Sequence, residues 1–133
     1  NNIISKNSDI GTLGNKITKV DFIDKSIVKV ITKDNIEKKR ISTAKQFLRK
    51  CKHPRKNAYG HIGIYQFRTS ILKKFVNLRQ SKNEIKHRLE QLRAIENGIN
   101  IDVVFSKNKS FGIDTVEDYV EIKKIMEYKI KKL

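Results

Sequence analysis

Runs rich in β-branched residues alternate along this chain with runs of helical periodicity, and this alternation limits the fold more than any other feature. The strand candidates cover 10–17, 26–32, 61–67 and 101–105. The helical candidates cover 69–78, 84–97 and the residues from about Thr115 onward. Because strands alternate with helices, the sequence predicts an α/β fold in which helices cover a sheet.

Two of the predicted helices carry apolar residues at spacings of three and four. Those of the helix over 84–97 are Ile85, Leu89, Leu92 and Ile95, and those of the last helix are Val116, Tyr119, Ile122, Met126 and Ile130. Such a stripe faces the core, so we expect both sets to be buried. Glu90, Gln91 and Arg93 then lie beside or opposite the first stripe. They form either a solvated helix face or a group that binds the hydroxyls and carboxylate of a sugar.

The net charge and the length of the chain limit the classes of function that it can have. The chain has 133 residues, the size of one domain, and its formal net charge is +16. Apolar runs are only a few residues long, which excludes a membrane-spanning helix. The charge would attract nucleic acid, but the basic residues are spread from Lys6 to Lys132 without interleaved aromatics. A nucleic-acid-binding module is therefore a minor alternative.

A single cysteine, Cys51, is present. It cannot form an internal disulfide, and it has no second cysteine with which to build a structural zinc site. A reducing compartment fits this pattern, so we expect a cytoplasmic protein. No catalytic nucleophile can be assigned from the spacing of serine, cysteine and histidine residues.

The strand over 61–67 carries the most informative polar pattern. Strand geometry places His61, Gly63 and Tyr65 on one face and Ile62 and Ile64 on the other. An imidazole and a phenol on either side of a glycine can hold a polar ligand. The alternative is a core histidine and tyrosine whose polar atoms bond to backbone groups.

An acidic residue stands where the last helix begins. Thr115, Glu117 and Asp118 supply an N-cap and first-turn acids. Asp114, just before them, is either a helix cap or a ligand of Mg²⁺, which prefers carboxylates and substrate phosphates. A single carboxylate seldom binds Mg²⁺, so a partner acid would have to come from elsewhere.

Taken together, these segments resemble the C-terminal half of 3-deoxy-manno-octulosonate cytidylyltransferases, the CMP-Kdo synthetases, where Kdo is an eight-carbon sugar acid. The similarity runs from Ile10 to about Ile125. It is carried by Gly11-Thr12-Leu13, Ile27-Val28-Lys29-Val30, Phe47-Leu48-Arg49, His61-Ile62-Gly63-Ile64-Tyr65, Leu89-Glu90-Gln91-Leu92-Arg93 and Gly112-Ile113-Asp114-Thr115-Val116-Glu117-Asp118. The last three motifs, in this order and with these gaps between them, are specific to this family.

The resemblance implies a nucleotide-diphospho-sugar transferase-like α/β sandwich with a mixed sheet. It also implies transfer of CMP from CTP to Kdo with release of pyrophosphate, in the presence of Mg²⁺, for lipopolysaccharide biosynthesis. By position, the sugar-acid-binding residues are Arg49, His61, Tyr65, Glu90 and Gln91, and Asp114 is one of the metal-ligating aspartates. A cytidylyltransferase for another sugar acid, of the sialic-acid type, is the nearest alternative.

The resemblance places residues 1–133 in the C-terminal half of a single cytidylyltransferase domain, without the half that binds CTP. We therefore expect this chain alone to be inactive, and the full-length protein to form a homodimer. Because strands of the other half are missing, we also expect the sheet to have an unpaired edge.

Overall fold

The computed structural model describes residues 8–51, 53–108, 112–113 and 115–130. In chain order, the elements are β1 (Ile10–Asn15), α1 (Lys19–Ile23), β2 (Lys29–Thr32), α2 (Ile36–Lys39), β3 (Ile41–Leu48), β4 (Ala58–Phe67), α3 (Thr69–Val76), α4 (Lys82–His87), α5 (Gln91–Glu96), β5 (Ile101–Ser106) and α6 (Val116–Ile130). All four predicted strands are present, and residues 36–48, for which the sequence predicts no element, form α2 and β3.

The five strands form one mixed sheet in the order β1-β4-β2-β3-β5. β1 and β5 are parallel, and the other neighbours are antiparallel. The first residues of β3, 41–43, pair with β5, whereas residues 44–48 pair with β2. Since β5 also pairs with β1, each strand has two neighbours and the sheet closes. The predicted mixed α/β fold is confirmed, and the predicted unpaired edge is wrong.

A bulge in β4 changes which side chains face the core. Thr12 pairs with Tyr65, but the next residue of β1, Leu13, pairs with Ile62. Two residues of β4, Gly63 and Ile64, are therefore extra in the ladder. Ile62 is buried, whereas Ile64 is 55% exposed. The prediction that these two isoleucines share one face is wrong, because strict alternation holds only in a regular strand.

The predicted single helix over 84–97 is two helices. α4 ends where Arg88 adopts the left-handed conformation, with φ 52° and ψ 50°, and α5 begins at Gln91. The break rotates α4, so Ile85 is 62% exposed while Glu84 is buried. Leu89 is buried as expected. Gly98 follows α5 with φ 70°, the left-handed conformation in which glycine commonly ends a helix.

The core lies between the sheet and helices α2, α3 and α5. Its main buried residues are Ile10, Val30, Ile36, Ala44, Phe47, Tyr59, Phe75, Leu89, Ala94, Ile99, Ile101 and Val103. The predicted stripe of α6 is not part of it. Its members Val116, Tyr119, Met126 and Ile130 are exposed, and Ile122 is half-buried. The prediction of a buried stripe on α6 is wrong, since amphipathic spacing does not ensure that another element covers the face.

Across the described ranges, none of the helices combines the length and apolar character that a membrane crossing requires.

Candidate functional site

Two cavities contain residues that the sequence pattern singled out. The acidic cavity, of about 640 Å³, is lined by His61 and Gly63 of β4 together with Asp21, Asp24 and Asp118. The basic cavity, of about 1040 Å³, lies between the end of β3 and helices α4 and α5. Its charged lining consists of Arg49, Lys50, Lys86, Arg88 and Glu96, and its apolar lining includes Phe47, Leu48 and Leu92. The two cavities thus differ in the sign of their charge.

His61 is held as a neutral imidazole. The Thr12 hydroxyl donates to the backbone oxygens of Ile62 at 3.1 Å and Ile64 at 2.8 Å. Its oxygen lies 2.9 Å from Nε2 of His61. Because the single hydroxyl proton is directed at carbonyls, Nε2 of His61 is the donor and Nδ1 carries the lone pair. Burial lowers the pKa of His61 to about 4, so the ring is neutral at pH 7.

Tyr65 lies beside His61, as the strand pattern predicts. The ring centroids are 5.4 Å apart, and the tyrosine is partly exposed. Burial and the negative charge of Glu90 raise the pKa of the phenol, so it keeps its proton at neutral pH. A Cβ built on Gly63 would have no described atom outside its own chain neighbours within 4 Å. Since the two rings lie only 5.4 Å apart, Gly63 is not between them. The prediction of a space between the imidazole and the phenol is therefore wrong, because the two rings pack against each other and Gly63 faces open space elsewhere.

The residues around the start of α5 have three different environments. The Glu90 side chain is 69% exposed, Gln91 is buried, and Arg93 is buried in an ion pair with Glu84. Arg93 therefore belongs neither to a solvated face nor to a sugar-binding group. The charge of Glu90 contributes to the raised pKa of the Tyr65 phenol.

Arg49 lies in the basic cavity rather than in the cavity that contains His61. Its guanidinium donates from Nε to the His87 oxygen at 3.3 Å and from Nη2 to the Arg88 oxygen at 3.1 Å. Phe47 links the two regions, because it lines the basic cavity and its ring is 5.1 Å from the His61 ring. The structure thus brings together His61 and Tyr65, and places Arg49 in the adjoining region.

The predicted metal ligand, Asp114, lies outside the described residues. Near it, Thr115 and Asp118 form the expected cap: Thr115 N–H donates to the Asp118 carboxylate at 2.9 Å, and Asp118 N–H donates to the Thr115 hydroxyl at 3.1 Å. Within the part of the chain that the structure describes, no three His, Cys, Asp or Glu side chains form a group that could hold a metal ion. The Mg²⁺ site stays a prediction.

Sequence reasoning missed Lys29, which is fully buried. Its ammonium donates to the backbone oxygens of Asp24, Ile27 (2.7 Å) and Arg49 (3.1 Å). Burial lowers its pKa. Asp24 and Ile27 line the acidic cavity and Arg49 lines the basic one, so Lys29 connects the walls of both. A lysine in a strand is typical of a solvated face, and no sequence signal indicated otherwise.

Sequence reasoning also missed the structural role of Glu84. Ser81 and Glu84 form a capping box, in which the Ser81 hydroxyl accepts from Glu84 N–H and the Glu84 carboxylate accepts from Ser81 N–H. The Ser-x-x-Glu spacing is a recognisable sign of a helix start, and it would have placed the start of α4 at Lys82.

Comparison with known proteins gives a consistent result. The family described as Cytidylyltransferase matches residues 3–101. The 3-deoxy-manno-octulosonate cytidylyltransferase of Thermodesulfovibrio yellowstonii is 42% identical over 120 residues, which cover 86% of this chain and 47% of that protein. The enzyme of the same name from Bartonella quintana is 37% identical, with 91% and 51% of the two chains covered.

A solved structure is also similar. It is a CMP:2-keto-3-deoxy-manno-octonic acid synthetase complexed with CTP, with a TM-score of 0.79 and 28% identity. The match covers 92% of this chain and 51% of that one. The chain thus spans about half the length of the curated relatives it matches.

Proposed function

This chain belongs to the cytidylyltransferase family, and from that premise we propose that it forms the sugar-acid-binding half of an enzyme that transfers CMP from CTP to Kdo. In this reaction the anomeric hydroxyl of Kdo attacks the α-phosphorus of CTP. The new bond joins that oxygen to phosphorus, the bond between the α- and β-phosphates breaks, pyrophosphate leaves, and the hydroxyl proton is lost.

The observation that carries the proposal is the contact between the neutral imidazole of His61, which lines the acidic cavity, and the partly exposed phenol of Tyr65. Nδ1 of His61 can accept a hydrogen bond from a sugar hydroxyl, and the phenol of Tyr65 can donate or accept one. The exposed carboxylate of Glu90, whose charge acts on the Tyr65 phenol, can accept from further hydroxyls. Donors and acceptors in this number suit a polyhydroxylated ligand, whose hydroxyls would otherwise lose their bonds to water.

The basic cavity supports an acidic ligand. Its lining holds four permanent cations, Arg49, Lys50, Lys86 and Arg88, against one acid, Glu96. Arg49 uses two of its five N–H groups to hold the end of α4, so it can also bind a carboxylate. We infer that the carboxylate of Kdo lies toward Arg49 and its hydroxyls lie toward His61. Gln91, buried at the start of α5, completes the proposed sugar-acid site.

The remaining parts of the enzyme are proposals that rest on the relatives. The CTP site would lie in the half that this chain does not span, so the chain alone would not catalyse, and the full-length protein would form a homodimer. Asp114 would hold Mg²⁺ together with a carboxylate from that other half. When bound, Mg²⁺ would offset the charge that builds up between an anionic sugar acid and a triphosphate. The product would enter lipopolysaccharide biosynthesis in the cytoplasm.

The direct test is titration of this chain with Kdo while amide signals are followed by NMR. We expect shifts at His61, Tyr65, Glu90 and Gln91, and weaker binding in His61→Ala and Gln91→Ala. The exposed His53 supplies the matched control, His53→Ala, which should bind Kdo as the wild type does. A parallel titration with N-acetylneuraminic acid decides between sugar acids, because a pocket that binds the wrong one leaves polar groups unpaired. Absence of Kdo binding by the wild-type chain would contradict the proposal.

The metal assignment needs a completed enzyme. We expect the chain joined to the missing half of a relative to release pyrophosphate from CTP only when both Kdo and Mg²⁺ are present. Asp114→Ala should abolish that release, and unchanged activity would disprove the role of Asp114 in metal binding.

The nucleic-acid alternative has its own measurement. Binding to random RNA would weaken steeply with salt if several phosphates were contacted. Tight binding with that salt dependence, combined with no response to Kdo, would favour the alternative.

A further inference from the structure

We propose that the buried ion pair between Glu84 and Arg93 is a positioning device that fixes Glu90 and Gln91 at the start of α5. The inference rests on the proposed function, because that function makes these two residues contacts of the sugar acid. Neither Glu84 nor Arg93 needs to touch the ligand in this role.

The pair has the geometry of a rigid clamp. Arg93 donates from Nε to one Glu84 oxygen at 2.8 Å and from Nη2 to the other at 2.5 Å. The side chains are only 11% and 6% exposed, respectively. The Arg93 guanidinium also stacks on the ring of Phe75 in α3, with 4.7 Å to the centroid. A bidentate bond of this kind fixes both the distance and the angle between the guanidinium and the carboxylate. It therefore fixes the orientation of α5 relative to α4 and α3.

The clamp spans the break between the two helices. The backbone leaves helical geometry at Arg88, and α4 and α5 have only six residues each. Helices this short are marginal by themselves, so tertiary contacts must set their orientation. Glu84 lies in the first turn of α4, where its carboxylate also accepts from Ser81 N–H, and Arg93 lies in α5. The ion pair therefore joins the two helices from opposite sides of the break.

The same guanidinium reaches the proposed sugar-acid residues. Nη2 of Arg93 lies 3.3 Å from the Glu90 carboxylate, one helical turn away. Gln91, the other proposed contact, is two residues before Arg93 and begins α5. A change in the tilt of α5 would thus move Glu90 and Gln91 together relative to Tyr65. Small displacements of this kind weaken binding although no ligand contact has been removed.

The test compares Glu84→Gln with the wild-type chain in two measurements. Glutamine keeps the shape but loses the charge and one of the two acceptors. We expect amide hydrogen exchange over 88–93 to accelerate by roughly tenfold or more, while amides of β1 and β4 keep their rates. Kdo affinity should fall by about tenfold or more. The matched control is Glu127→Gln, which removes the exposed Lys123–Glu127 pair of α6 and should change neither measurement.

The outcomes separate this inference from the proposed function. If the wild-type chain does not bind Kdo, the proposed function fails, and the exchange measurement still shows whether the pair holds α5. Unchanged exchange over 88–93, or equal acceleration of the strand amides, would overturn the positioning role. Arg93→Lys is the second variant should Glu84→Gln unfold. Lysine keeps the positive charge but cannot form a bidentate bond to Glu84. Arg93→Lys should therefore accelerate exchange over 88–93 less than the roughly tenfold expected for Glu84→Gln. Unchanged exchange in Arg93→Lys would also overturn the inference.

Discussion

The hydroxyl of Thr12 on β1 and the imidazole of His61 on β4 lie 2.9 Å apart, and the same hydroxyl donates to two carbonyls of the β4 bulge. Thr12 therefore fixes three things at once: the bulge, the tautomer of His61 and the outward exposure of Ile64. Its side chain is completely buried. One threonine of β1 thus shapes the surface on which we place the sugar acid.

The first prediction concerns Thr12→Val, which keeps the shape and removes the hydroxyl. We expect the free energy of unfolding to fall by about 1–3 kcal/mol, because the His61 N–H and the bulge carbonyls lose a buried partner. Urea denaturation measures the loss. Nitrogen NMR of His61 should show the proton no longer fixed on Nε2. Thr12→Ser is the matched control and should retain the tautomer; a valine variant that behaves like the wild type would contradict the prediction.

The second prediction is a dependence of stability on pH. The pKa of His61 is lowered to about 4 by burial, against about 6.5 in an unfolded chain. The unfolded state then binds more protons between these values, so the stability contribution is complete above about pH 6.5 and is lost as pH falls toward 4. His61→Gln should remove roughly 3 kcal/mol of the loss in the free energy of unfolding between pH 7 and pH 4. Urea denaturation at a series of pH values tests this, and the exposed His53→Gln should leave that loss unchanged.

The third prediction concerns Lys29. Replacing it by Met fills the space of the stem but leaves the carbonyls of Asp24, Ile27 and Arg49 without their donor. We expect a loss of about 1–3 kcal/mol in the free energy of unfolding, measured by chemical denaturation. Lys25→Met is the control, because Lys25 is exposed and close by in sequence. Equal stability of the two variants would show that the three bonds of Lys29 contribute little.

The fourth prediction compares two glycines of β4. A Cβ on Gly60 would lie 2.5 Å from Oδ1 of Asn15 and 2.6 Å from Cγ2 of Ile17, so these atoms must move. We expect Gly60→Ala to cost about 1–3 kcal/mol. Gly63→Ala should leave stability close to the wild-type value, because the described residues leave that position open. Thermal unfolding of both variants tests this expectation. A larger loss of stability in Gly63→Ala than in Gly60→Ala would contradict the packing described around Gly60.

Local patterns were sufficient for much of the fold. β-Branched runs predicted the strands, and the strand over 61–67 correctly placed His61 and Tyr65 side by side. The cap at Thr115 was also predicted, because caps depend on nearby residues. The binding roles of all the predicted site residues stay predictions: Arg49, His61, Tyr65, Glu90 and Gln91 for the sugar acid, and Asp114 for the metal.

Other features could not be predicted from the spacing of apolar residues along the chain. The break at Arg88 is stabilised by Arg49, which directly follows β3 and bonds to the carbonyls of His87 and Arg88. The rotation of α4 depends on a partner for Glu84 that lies nine residues later in the chain. A helical wheel predicts that an acidic side chain lies on the solvent-exposed face. Burial of Glu84 is favourable only because a buried arginine pairs with it.

The amino-acid sequence by itself determined the alternation of strands and helices, the mixed α/β class and the neighbouring positions of His61 and Tyr65. These follow from interactions between residues close along the chain. Tertiary structure alone decided the closure of the sheet, the bulge held by Thr12, the burial of Lys29 and the clamp between Glu84 and Arg93. Each of these depends on a hydrogen bond, ion pair or strand partner whose position is set only when distant segments pack together.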